Sequence, residues 1–138
     1  MKTDLSYRLK KALETPVGEQ AFDDLKKYLE YLIGLRETAC KETHYTRLDE
    51  WNVKAYGFIH KMLDKYGFIN GGAAMSLEQP RDAEFWWGIY SVVSGVCYSR
   101  NLKTSVANHH ASAWERNEAL IADIEQLIEF KTKETILK

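Results

Sequence analysis

Residues 81–100 read RDAEFWWGIYSVVSGVCYSR, and the fold turns on this stretch. Phe85, Trp86, Ile89, Val92, Val93 and Val96 recur three and four positions apart, so on a helix they cover one broad side. Trp87, Tyr90 and Cys97 extend the apolar surface around it, further than a helix with one wet face requires. Gly88, Ser91, Gly95 and Ser99 repeat at the same spacing as a strip of small side chains. Such a helix belongs at the centre of a bundle or against another molecule.

Working outward, 101–104 is a short link and 105–130 predicts a long last helix. Its inward residues are Ala107, Ala111, Trp114, Leu120, Ile121, Ile124, Leu127 and Ile128. The first half of that helix is again rich in small residues, so the two strips predict a closely packed antiparallel pair. Between Phe85 and Trp114 the only charges are Arg100 and Lys103. Monomers rarely expose large apolar patches, so a two-fold interface through the helix at 81–100, and hence a homodimer, is expected. Beyond it, Glu115, Glu118, Asp123, Glu125 and Glu129 face only Arg116 and form a local acidic stretch.

Toward the N-terminus the same periodicity predicts helices over 4–14, 16–41 and 47–66. Thr15-Pro16 reads as an N-cap followed by proline at the first helical position. Phe22, Leu25, Leu29, Leu32, Arg36 and Ala39 make the stripe of that helix. Thr46-Arg47-Leu48-Asp49 has the form of a capping box and opens the next. Leu48, Asn52, Ala55, Ile59, Met62 and Tyr66 form its stripe, and Val53, Tyr56, His60 and Leu63 a second, half-apolar face. Two faces of this kind predict a helix sandwiched between neighbours. The tetrapeptide Tyr-Gly-Phe-Ile occurs at Tyr56 and again at Tyr66. Gly57 reads as mid-helix and Gly67 as a left-handed helix end, leaving 68–80 as the longest connection.

The chain has 138 residues, 45% hydrophobic and 28% charged, with a net charge of −1. Those values describe one globular domain and exclude a disordered or fibrous chain. With two prolines and eight glycines there is little punctuation for an all-β domain. The reading is all-α: a single-domain bundle of five or six helices without a sheet. The first fourteen residues carry charge at every turn and no apolar signal segment, and no uncharged stretch is long enough to span a bilayer. Cys40 and Cys97 have no paired spacing and are expected to be free thiols, which makes a cytoplasmic location the expectation.

Little in the chain points to chemistry. A helix chelates one metal through positions three or four apart, and His44, His60, His109 and His110 are never so spaced. No metal and no cofactor are expected, and no nucleophile elbow or phosphate loop occurs. His60 and Asp64 are four apart and able to pair. The basic doublets Lys10-Lys11 and Lys26-Lys27 lie among acids as a solvated face, so direct nucleic-acid binding is not expected. His110 and Asn117 fall one heptad apart inside the apolar stripe of the last helix. They form either a buried polar layer or, with Tyr90 and Trp114, the lining of an interhelical pocket for a small molecule or substrate. Trp86 and Trp87 are adjacent, so they point to different sides of their helix. Trp86 shares a side with Ile89, Val93 and Val96 and should be core. Trp87 faces the flank of Tyr90, Ser94 and Tyr98, where a rigid amphipathic ring suits a protein contact.

The segment Asp82-Ala83-Glu84-Phe85-Trp86-Trp87, followed by an Ile/Val/Ser-rich run and a final helix from Ser105 onward, resembles small all-helical anti-CRISPR proteins, specifically the type I-F inhibitors of the Cas3 helicase-nuclease. The resemblance covers about the last 50 residues and extends to overall length, while the first half matches only as helices of similar size. It implies a phage protein, homodimeric, acting in the host cytoplasm by occupying a bacterial defence protein without chemistry. A non-enzymatic protein-binding role, with Trp86, Trp87, Tyr90, Tyr98, His110 and Asn117 as the binding residues, is therefore the functional expectation.

Overall fold

Among the described residues the three-four periodicity is realised as five α-helices. A computed structural model describes residues 4–37, 48–67, 81–98 and 113–134. They contain α1 (Asp4–Glu14), α2 (Glu19–Leu35), α3 (Leu48–Lys65), α4 (Arg81–Tyr98) and α5 (Ala113–Lys133), and among them there is no sheet. The expected turn of helix at 105–112, the connection 68–80, Thr46, Arg47, Cys40, His44, His109 and His110 lie outside the described residues, as do the side chains of Cys97 and Tyr98.

The charge-poor helix is the centre of the bundle: α4 is contacted by α1, α3 and α5. Phe85, Trp86, Ile89, Val92, Val93 and Val96 are all fully buried, as their spacing predicts. Trp86 meets Phe85 and Tyr28 edge-on, with ring centroids 5.9 and 6.4 Å apart. Such T-shaped pairs add to the burial of the rings. Lys131 lies near Phe85 at one end of the α4–α5 pair and Arg116 near Val96 at the other, so the two helices run antiparallel.

At Gly88 the small strip on α4 meets α1, and the partner strip expected at 105–112 lies outside the described residues. A Cβ built on Gly88 would come within 3.4 Å of the Ala12 Cα, so the close approach here is by α1. Helix α2 does not begin at Pro16. The Thr15 hydroxyl turns back to the Lys11 carbonyl at 3.0 Å and closes α1 instead. Gly18, extended at φ −82° and ψ 169°, is the N-cap of α2, and its carbonyl accepts the Phe22 N–H at 2.9 Å. Its own N–H donates to Asp82 Oδ1 at 2.7 Å, and a Cβ there would sit 2.9 Å from the other carboxylate oxygen. Asp82, in the first turn of α4, thus fixes where α2 starts.

Two buried cations of α5 close the C-terminal ends of other helices. Helix ends leave carbonyls without intrahelical partners. Lys131 Nζ donates to the Leu13 carbonyl in the last turn of α1 and to the Thr15 carbonyl just past it, both at 2.7 Å. Arg116 Nη1 donates to the Val96 carbonyl at 3.1 Å in the last turn of α4. Opposite partial charge at a helix C-terminus favours a cation there.

Gly57 is mid-helix in α3, and Gly67 has φ 94°, the left-handed conformation that ends the helix. Asp24, buried on α2, accepts Lys65 Nζ at 2.7 Å and the Tyr66 hydroxyl, tying α2 to this end of α3. Burial pushes the Asp24 carboxyl up, but the hydrogen bonds and the charges of Lys65 and Lys27 outweigh it and hold the group below the usual range. Burial, then the bond to Asp24, raise the Tyr66 hydroxyl.

Candidate functional site

Between α3 and α4 lies an open groove of about 420 Å³ lined by Asn52, Val53, Tyr56, His60, Tyr90 and Ser94. Its walls follow from helix geometry, because residues three or four apart share a face. Trp87 and Tyr90 stand together on α4, and Tyr56 and His60 on α3. The Trp87 and Tyr90 rings stack at 5.0 Å with planes 15° apart. Tyr90 then meets Tyr56 and His60, each with centroids 5.7 Å away. The result is a continuous aromatic row, half-buried except for the exposed His60. Val53 stands at its lip, 71% exposed.

The arrangement bears out in part the expectation that α3 is sandwiched, since the helix packs against α2 and α4 while part of its second face stays open. Leu63 is buried, but Val53, Tyr56 and His60 leave their side of the helix open and form one wall of the groove. His60 lies against the Tyr56 and Tyr90 rings rather than forming an ion pair with Asp64. The α4 half of the groove, Tyr90 and Ser94 with Trp87 beside them, is the flank the Trp-Trp doublet pointed to. The α3 half was visible as a half-apolar face without an assigned role.

Asn117 is elsewhere. It is fully buried, accepts the Trp51 indole N–H at 3.1 Å and donates to the Leu32 carbonyl at 2.8 Å. The amide therefore cross-links α5, α3 and α2 as a polar tie and does not line the groove. Trp114 is half-buried on α5 and is likewise no part of the lining. Trp86 is in the core, and Tyr98 and His110 have no described side chain.

Arg36 and Glu118 meet at 2.7 Å between α2 and α5, and Lys26 meets Asp23 at 3.5 Å on the exposed face of α2. Among the described residues no three His, Cys, Asp or Glu side chains are grouped to hold a metal, and no helix is long and apolar enough to cross a membrane. Comparisons with protein-family models, with curated proteins and with solved structures returned no match, so the groove is read on its own geometry.

Asp123, on α5, is outside the groove and has one carboxylate oxygen buried without a protein hydrogen bond. Burial pushes its pKa up from 3.8 to about 6. The fold thus favours the protonated carboxyl, so stability rises as pH falls from about 6 toward 4 and is lowest above 6. Asp123→Asn should stabilise the protein by about 1–2 kcal/mol at pH 8, the partial solvent contact of the side chain reducing the full effect. Urea titrations at pH 4.5 and pH 8 check this: the variant should gain clearly more at the higher pH.

Proposed function

We propose that this chain is a non-enzymatic protein-binding protein and that the aromatic groove between α3 and α4 is where a partner protein docks. The observation that carries the reading is the Trp87–Tyr90 stack continued by Tyr56 and His60 along an open face. Tyrosine and tryptophan concentrate binding energy at protein interfaces because they bring large rigid area at little entropic cost. Among the described residues no Asp, Glu, Lys or Arg lines the groove, and its lining is aromatic, apolar and neutral polar side chains. The anti-CRISPR resemblance of the Trp-Trp helix supplies the partner class: a bacterial defence protein, blocked by occupation of its surface.

The groove's volume also falls within the range of small-ligand pockets, roughly 300–1,000 Å³. One experiment separates the two readings. The tagged chain and its Trp87→Ala variant are used to capture proteins from host lysate, and the same preparations are examined by native mass spectrometry. Protein binding predicts a captured partner that Trp87→Ala retains at least tenfold less well, at an unchanged melting temperature. A bound small molecule, or equal capture by both chains, contradicts it.

A further inference from the structure

On the outward face of α3, Glu50, Val53, Gly57 and Lys61 follow one another at three- and four-residue spacing, and all are exposed. Val53, at 71% exposed, protrudes more than any other large apolar side chain among the described residues. One turn on, Gly57 leaves the backbone bare. A mid-helix glycine costs ~1 kcal/mol against alanine. Yet a Cβ built on Gly57 would meet nothing within 4 Å, so packing among the described residues gives no reason for it. Gly18, Gly67 and Gly88 each have one: the Asp82 carboxylate, a positive φ and the Ala12 backbone. Gly34 also has clear space, but it lies in the last turn of α2, where its carbonyl accepts the Glu37 N–H.

A protrusion and a hollow one turn apart, with an acid before and a base after, form a self-complementary surface. When two such faces meet antiparallel about a two-fold axis, each protrusion reaches the other's hollow and each acid the other's base. Isologous interfaces require this of a single patch. We propose that a second copy of this chain docks on α3, with the axis passing between Val53 and Gly57. Each Val53 seats on Gly57 of the other copy, and each Glu50 pairs with the other copy's Lys61. Glu50 already meets Lys54 within its own helix at 3.6 Å, which holds the carboxylate on this face. The expected homodimer thus forms through α3 rather than the buried α4. It sets two aromatic grooves side by side and deepens the protein-binding reading, sharing with the groove only the lip residue Val53.

Sedimentation velocity of the purified full chain, from about 1 to about 100 µM, tests this without any partner protein. The wild type should sediment at twice 16.0 kDa at the upper end. Glu50→Lys and Lys61→Glu should each weaken self-association at least tenfold, and the double reversal should restore it. Gly57→Gln should be monomeric with a melting temperature no lower than wild type, since glutamine is the better helix former. A wild type monomeric throughout, a dimer indifferent to the single reversals, or a double reversal that stays monomeric each overturns the proposal. Trp87→Ala should still dimerise, so failure of the groove reading and failure of this one are separately visible.

Discussion

Trp86→Ala should lower the melting temperature by roughly 10–20 °C, while its neighbour Trp87→Ala leaves it nearly unchanged. Trp86 is fully buried against Phe85 and Tyr28, so truncation opens a cavity that the surrounding helices fill only in part. Aromatic-to-alanine changes in such places cost ~3–5 kcal/mol. The Trp86 indole N–H has no hydrogen-bond partner, so no lost bond offsets or enlarges that figure. Trp87 is half-buried, and its ring stacks on Tyr90. Differential scanning calorimetry of the two variants is the check. Equal destabilisation would make the doublet a packing feature and remove the strongest pointer to the groove.

Lys131→Met should cost about 2–4 kcal/mol, an effect disproportionate to one lysine near a chain end. Methionine keeps the packing of the stem between Phe85 and Phe130 but removes the donors. Two carbonyls, of Leu13 and Thr15, then lose the ammonium that holds each at 2.7 Å. An unsatisfied buried acceptor costs ~1–3 kcal/mol, and because both bonds are only part-buried the two together fall short of twice the upper figure. The damage should be directional, because the carbonyls belong to the end of α1 and its turn. Hydrogen exchange should show α1 amides opening earlier than those of α4; uniform loss of protection would mean that Lys131 contributes only packing.

What was legible in the sequence depends on how local its cause is. The buried side of α4 could be read from spacing alone, because helix geometry decides which of its residues share a face. Gly57 within a helix and Gly67 at its end were likewise legible, since both follow from the glycine and its immediate neighbours. The start of α2 was not. It is set by a carboxylate sixty-four positions along the chain, and Thr15-Pro16 carries no trace of Asp82. Arg116 and Lys131 carried no signal of burial either, because a cation that caps another helix looks in sequence like any solvated one. Asn117 was visible as a polar residue in an apolar stripe, but its partners Trp51 and Leu32 come from two other helices. The groove was half legible for the same reason. Its aromatic residues could be placed on faces, but which face stays uncovered is decided by how α1, α3 and α5 arrange themselves around α4.

The central claim is that the Trp87–Tyr90 face binds a protein. Replacing Tyr90 with p-benzoylphenylalanine keeps an aromatic ring in the groove and makes it photoreactive. Irradiation in host cells, followed by denaturing electrophoresis, should yield one dominant adduct between this chain and a partner protein, mapped to residue 90. The same group at Lys133, exposed at the end of α5, should yield none. An adduct from Lys133 with none from residue 90, or no protein adduct from either, would contradict the account.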